Sequence, residues 1–311
     1  MTNWSEQETA ELPAPVLDAP RPPSAAVVVD LAARSHPGKV RTNNEDHYLV
    51  VRFGRSMETL LSNLPEGAVP ARCDEVGYGV AVADGMGGRH AGEVASRMVI
   101  EALLTAVLQT PDWIVRPEGA FAELAMIRAA DRHRRLQSVL VHEAEANPEL
   151  QGMGTTLTVA WSVGVDLFVA HVGDSRIYLF REGRLCQLTT DHTLAQEMAN
   201  EGRIAPDQVA RHRLRHVLTR AITTEGHDVE PEVQRLRLAD RDCILACTDG
   251  LTDMVAEDEI VHVLAESATA DESAQRLVEL ALEHGGRDNV TTVVARYAIP
   301  SEAEPPGHCG H

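Results

Sequence analysis

The chain has 311 residues, 44% of them hydrophobic, and a formal net charge of −19. That composition is ordinary for a folded protein, and a field of that sign disfavours nucleic acid while suiting a protein that holds cations. No apolar run reaches the ~18 residues needed to span a bilayer, and the N-terminal segment lacks the basic start and apolar core of an export signal, so a cytoplasmic location is expected.

In chain order, residues 1–25 form a leader with Pro13, Pro15, Pro20, Pro22 and Pro23 and almost no periodicity, which predicts disorder. Strand-like runs follow: "AAVVVDLAARS" and, after Asp46, "DHYLVV". Arg52–Val76 reads as a long connection to the next run, "YGVAVA". From Gly92, the apolar residues Val94, Met98, Val99, Ala102, Leu103, Ala106 and Val107 recur at helical spacing, and a second helix is expected over about Gly119–Glu143. The runs "TTLTVAWS", "DLFVAHVG" and "SRIYLF" are separated by short Gly- or Asp-containing turns, and "REGRL" makes a further turn. Helices are expected near Thr193–Glu201, Asp258–Ala265 and Asp271–His284, and strands at "CILACT" and "VTTVVARY". Residues 300–311 form a second Pro- and Gly-rich tail. Clustered strands, short turns and grouped helices predict an α+β fold, with two packed antiparallel sheets and helices outside them.

The five cysteines are scattered, none with zinc-site spacing and none opening a Cys-x5-Arg phosphate loop. Cys243 and Cys247 fall in one apolar run and read as buried free thiols of a reduced chain. "HCGH" in the tail and the paired histidines of "HRLRH" have metal-ligand residue types. The first lies in a Pro/Gly tail and the second lacks an intervening glutamate base, so both are discounted.

Carboxylates at strand ends carry the functional signal. Asp84 follows "YGVAVA", Asp174 follows "FVAHVG" and Asp249 follows "CILACT". Asp288 precedes "NVTTVVARY", and Glu45-Asp46 precedes "HYLVV". Each alone is an ordinary turn residue. Together, at the ends of apolar strands in adjacent sheets, they converge on one rim and repel unless cations neutralise them. An oxygen-only donor set suits Mg²⁺ or Mn²⁺. Gly85, without a Cβ, leaves room for its carbonyl to reach an ion.

The blocks "RTNNEDHY", "VADGMGGRHAGEVAS", "MGTTLTVA", "HVGDSRIYLFREG", "LTTDHTLAQEM", "HVLTRAI", "LACTDGLTD" and "GGRDNVTTVV" lie in one order across Ser35–Tyr297. In these blocks the chain resembles the bacterial metal-dependent protein serine/threonine phosphatases of type 2C. The resemblance implies a four-layer α-β-β-α sandwich, with a single catalytic domain over residues 26–299 and a flap over about 191–221. It implies a core of two Mn²⁺ or Mg²⁺ ions and a third, weaker site. By the same resemblance Asp84 bridges both core ions, Gly85 gives its carbonyl to one, and Asp249 and Asp288 ligate the other. Asp46 stands near the centre and Glu45 acts through water. Asp174, with Asp249, serves the third ion. Arg41 resembles the phosphate-binding arginine, whose planar donor fork matches phosphate oxygens.

The implied reaction is in-line attack of a metal-bridging hydroxide on phosphoserine or phosphothreonine in proteins, reversing Ser/Thr kinase signalling. Met86 stands where many eukaryotic members carry a histidine, so the proton donor to the leaving group is open; His90 reads as a surface residue, and water can serve. Within the flap, Arg211, Arg213 and Arg215 form a basic cluster that could attract phosphorylated proteins. The expected partners are a Ser/Thr kinase and its substrates, with the phosphatase a monomer. The alternatives are an inactive regulatory homologue and a hydrolase of small phosphate esters.

Overall fold

A computed structural model of the chain describes residues 24–65, 68–87, 91–109, 120–225 and 229–300, with backbone alone for 120–126. Residues 1–23 of the expected leader, His90 and residues 301–311 lie outside the described residues.

The strands are β1 (Val28–His36), β2 (Asp46–Glu58), β3 (Arg72–Met86), β4 (Gly154–Thr155), β5 (Leu157–Val163) and β6 (Asp166–Val172). They continue as β7 (Arg176–Arg181), β8 (Arg184–Gln187), β9 (Ile222–Thr223), β10 (Glu232–Arg237), β11 (Cys243–Cys247) and β12 (Val290–Ala298). The helices are α1 (Ala91–Leu108), α2 (Ala120–Ala146), α3 (Leu194–Asn200), α4 (Asp249–Thr252), α5 (Glu257–Glu266) and α6 (Ala270–Glu283). One sheet runs β1-β12-β11-β7-β8; the other runs β10-β6-β5-β3-β4-β9, with β2 also paired to β3. Every pairing is antiparallel.

Three apolar layers hold the stack together. Between the sheets, Val80 and Val82 meet Ile177, Leu179, Ile244, Ala246, Val293 and Ala295. The alternate residues Ala81 and Ala83 face outward and pack under Ala95 and Val99 of α1 and Leu136 and Leu140 of α2. On the far side, Cys243, Leu245 and Cys247 turn toward Leu264, Leu277 and Val278 of α5 and α6. Burial of both faces explains why "YGVAVA" and "CILAC" are continuous apolar runs rather than alternating ones. Both cysteines are buried and unpaired, and burial pushes each thiol up to about 12, as expected of inert free thiols. α6 starts on a capping box, with Thr269 Oγ1 accepting from the Glu272 N–H at 3.1 Å and Glu272 accepting in turn from the Thr269 N–H.

The expected α+β sandwich is present, but Arg52–Val76 is not a connection. β2 continues to Glu58 and β3 begins at Arg72, so the two form one long hairpin. The residues 59–71 that join them are closed by the Thr59 N–H on the Ala71 carbonyl at 2.8 Å. The outer part of this hairpin is exposed and most of its cross-strand pairs are polar, as in Arg55 Nε to Glu75 Oε2 at 2.7 Å, so no continuous apolar run marks it. β10 lacks a sequence signal for a related reason: it is an edge strand, half-buried throughout, with the mixed sequence EVQRLR.

At the end of β7, Arg181 makes a bidentate pair with Asp242, Nε to Oδ1 at 2.8 Å and Nη2 to Oδ2 at 2.6 Å. Asp242 is fully buried and also accepts from the Ala239 N–H at 2.7 Å. Breaking one side of such a pair leaves a buried charge uncompensated, which costs about 3–5 kcal/mol, whereas an apolar replacement of both can be nearly neutral. Asp242→Ala is therefore expected to lower unfolding stability by about that amount in urea titrations, and Arg181→Leu with Asp242→Leu to recover most of the loss.

Candidate metal centre

Strand direction gathers the carboxylates. β2 and β12 start, and β3, β6 and β11 end, at the same rim of the sandwich. Asp46 at the start of β2 lies opposite Asp84 near the end of β3 in the ladder. Asp174 follows β6, Asp249 opens α4 just after β11, and Asp288 lies just before β12. The structure thus brings together Asp46, Asp84, Asp174, Asp249 and Asp288. Each of the other four adds to the field that raises Asp84.

The electrostatics of this rim are unfavourable as it stands. Burial, then Asp46, Asp249, Asp174 and Asp288, hold the Asp84 carboxyl well above the ordinary carboxylate range. Asp46 is 4% exposed, and burial pushes it up to about 7 against the opposing hydrogen bonds of Thr291 and Thr248. Asp174, 9% exposed, is pushed up to about 8 by burial first and then by Asp249 and Asp191. Asp46 Oδ1 is buried without a hydrogen-bond partner among the described residues. A group of acids so placed wants a positive neighbour.

The backbone around the rim is closely built. Thr248 Oγ1 donates to Asp46 Oδ2 at 2.8 Å and accepts from the Thr291 N–H at 3.0 Å, which ties the two sheets at the site. Thr156 Oγ1 accepts from the Asp84 N–H at 2.9 Å, and the Asp84 carbonyl accepts from Thr155 Oγ1 at 2.8 Å. Asn289 fixes the loop before β2: its Oδ1 accepts from the Glu45 N–H at 2.8 Å, and its Nδ2 donates to the carbonyls of Asn43 at 2.8 Å and Pro37 at 3.0 Å. A Cβ on Gly85 would lie 2.2 Å from the Gly92 carbonyl oxygen and 2.7 Å from that of Glu45. Glycine is therefore needed there to let α1 close on the rim, in addition to the reason read from sequence. Gly250 allows the same closeness between α4 and β12, where a Cβ would lie 1.8 Å from the Asn289 carbonyl oxygen.

Sequence reasoning does not assign roles to Asn289, Thr248 and Thr156. The first stands in "RDN" and the second in "CTDG", beside predicted ligands, and that adjacency is the available signal. Nor does it find what anchors Asp191 and His192. Arg176 of "GDSR" donates to both carboxylate oxygens of Asp191, at 2.8 and 2.6 Å, and its Nη1 donates to Tyr178 Oη at 3.0 Å. His192 then exchanges hydrogen bonds with the Gly173 backbone, its N–H donating at 2.7 Å and its Nδ1 accepting at 3.1 Å. The segment that begins at Asp191 is thus rooted one residue from Asp174.

Other predicted residues are placed differently from one another. Arg41 donates to Asp288 Oδ2 at 2.6 Å and remains mostly exposed, and that contact raises its pKa further. The Glu45 side chain accepts from Asn43 Nδ2 at 3.0 Å and lies against Gly92 in the first turn of α1, where an acid is favoured by the helix end. Met86 ends β3, half-buried beside Gly154. Arg211 and Arg213 are exposed, with no ion pair among the described residues. Arg215 instead donates to Asp253 Oδ2 at 3.2 Å. His216 stands 3.6 Å from Asp249 and 3.4 Å from Asp253, and the nearby carboxylates raise its pKa. Among the described residues, His216, Asp249 and Asp253 are the group whose possible ligand atoms all lie within 4.8 Å of one another; Asp46, Asp84 and Asp288 are not drawn to that spacing.

The sequence pattern of protein phosphatase 2C matches residues 52–290. The chain belongs to the protein phosphatase 2C family. This family member is 42% identical over 269 residues to the serine/threonine protein phosphatase PstP of Mycobacterium tuberculosis, covering 86% of this chain and 45% of the relative. The chain thus spans about half the length of that curated relative. It is 36% identical over 215 residues to the serine/threonine phosphatase Stp of Listeria monocytogenes, covering 69% of this chain and 82% of the relative. Among solved structures, it is similar to the M. tuberculosis phosphatase PstP/Ppp, with 38% identity, a TM-score of 0.68, and coverage of 86% and 98% of the two chains. A second similar structure is the catalytic domain of PstP in complex with two manganese ions, with 38% identity, a TM-score of 0.66, and coverage of 88% and 99%.

A carboxyl whose folded pKa is raised holds its proton more tightly folded than unfolded. Its contribution is then harmless below the ordinary value of 3.8 and turns destabilising as pH climbs toward about 8 for Asp174. In chelator, the unfolding stability of the chain is expected to decline from pH 5 to pH 8, and Asp174→Asn to flatten that decline when both are measured by urea titration.

Proposed function

We propose that this protein hydrolyses phosphoserine and phosphothreonine in proteins, using two Mn²⁺ or Mg²⁺ ions at the Asp84 rim. The observation that carries this reading is the set of converging, mutually repelling carboxylates, Asp46 and Asp174 buried and Asp84, Asp249 and Asp288 half-buried, with Asp46 Oδ1 unpartnered among the described residues. Oxygen donors of this kind fit hard divalent cations and offer no soft ligand. Asp84 would serve both ions, the Gly85 carbonyl one of them, and Asp249 and Asp288 the other. Asp46 and, through water, Glu45 complete the surroundings, and Asp174 with Asp249 would hold a third, weaker ion. Bound there, the ions supply charge neutralisation and an activated water.

The remaining roles belong to the chain. Arg41, exposed at the rim and directed at Asp288, would turn its fork to the phosphate oxygens and hold the phosphorus in line for water attack. Thr248 and Asn289 keep Asp46 and the Glu45 loop from drifting as charge changes at the rim. No side chain takes up the phosphoryl group, so no phospho-enzyme is formed. Met86 cannot donate a proton, which leaves solvent to protonate the departing Ser or Thr oxygen. The proposed unit is one catalytic domain over residues 26–299 with a flap over about 191–221. It acts as a cytoplasmic monomer opposite a Ser/Thr kinase. Among the described residues, no helix is long and apolar enough to cross a membrane.

Asp84→Asn and Asp249→Asn are each expected to lower kcat on a phosphothreonine peptide with Mn²⁺ by at least ~10²-fold; rates near wild type would refute the assignment. For the flap, Arg211→Gln with Arg213→Gln is expected to raise KM for a phosphorylated protein several-fold and to leave KM for a small aryl phosphate unchanged. Equal shifts on the two substrates would remove these arginines from protein recognition.

A further inference from the structure

On the side of the seven-stranded sheet that faces the helices, α1 and α2 do not close fully on the strands. They leave a cavity of about 400 Å³, within the range of small-ligand sites. Its floor is the stacked pair Trp161 and Phe168, with ring centroids 5.2 Å apart. Leu104, Val107 and Leu108 of α1 form one wall, and Leu104 and Leu108 are exposed at the surface. This cavity is separate from the carboxylate rim, and no residue of the proposed metal centre lines it.

α2 gives the cavity a polar side of one sign. Arg128, Arg132 and His133 all line it. His133 is 4% exposed. Its Nδ1 lies 2.9 Å from the Ala129 carbonyl, while its Nε2 is buried with no hydrogen-bond partner among the described residues. Arg132 is half-buried, and burial followed by repulsion from Arg128 and Arg135 lowers its pKa, with no carboxylate among the described residues opposing them. Arg128 and Arg132 are one turn apart on α2, a like-charge spacing that weakens a helix. In a chain with a net charge of −19, acids to pair with Arg132 were plentiful, yet an apolar hollow lies in front of it instead.

We propose that this cavity binds a free medium-chain carboxylate, its hydrocarbon tail over Trp161 and Phe168 against Leu104, and its head group against Arg132 and His133 Nε2. The apolar floor suits a hydrocarbon chain, and the arginine complements one negative charge. A carboxylate beside the imidazole favours its protonated form, in which Nε2 becomes a donor and the orphaned atom gains a partner. A neutral chain would fill the floor but leave both polar groups as they stand.

Calorimetric titration of the full chain with decanoate, below its micelle concentration, tests this against decanol as the uncharged control. Decanoate is expected to bind saturably at one per chain, and decanol at least roughly tenfold more weakly. Arg132→Gln should weaken decanoate roughly tenfold and leave decanol unchanged, while preserving the thermal unfolding midpoint. Leu104→Trp, which fills the mouth, should abolish binding of both. No saturable binding to the wild type would overturn the proposal. So would equal affinity for the two probes, an Arg132→Gln variant that binds decanoate like wild type, or a Leu104→Trp variant that still binds.

Discussion

The structure depends on an arrangement that is unfavourable by itself: five aspartates brought to one rim of a two-sheet sandwich, several of them away from water. Like charges in a low-dielectric place cannot all ionise cheaply. The raised carboxyls of Asp46, Asp84 and Asp174 are the direct expression of that conflict. Cations resolve it, and the same ions supply the chemistry proposed for the site. Strain at the rim and function at the rim thus share one physical cause.

A rim of this kind needs a stiff frame, and the frame is visible. Thr248 bridges the β11 end to Asp46 across the sheets, and Asn289 binds the Glu45 loop to the start of β12. Gly85 and Gly250 remove side chains where α1 and α4 press against neighbouring carbonyls. Arg176 and Asp191 root the chain after β8 beside Asp174. Each contact sits at a strand end, so the apolar core between the strands sets the distances. Arg181 and Asp242, at the opposite end of β11, serve the frame rather than the site.

Much of this is legible in sequence because buried strands leave long apolar runs, and an acid at the end of such a run is conspicuous. Asp84, Asp249 and Asp288 stand out in that way. The β2–β3 extension is not legible, since its pairs, such as Arg55 with Glu75, are polar and solvated and carry no hydrophobic signature. β10 escapes notice for the same reason. The pairing of Arg215 and His216 with Asp253 is also out of reach. It joins residues 215 and 216 to the end of α4 across a long stretch of chain, and nothing local in "HRLRH" announces it. The arginines of α2 are equally silent. Their meaning comes from an apolar hollow that only packing reveals.

The central claim is that the carboxylate rim is a metal centre organised by Asp84. Anomalous diffraction at the manganese edge, from crystals grown with Mn²⁺, tests it most directly. Two strong peaks are expected to flank the Asp84 carboxylate, one within reach of the Gly85 carbonyl and the other of Asp249 and Asp288. Manganese found instead only between His216 and Asp253, or absent from Asp84 at saturating concentration, would contradict it.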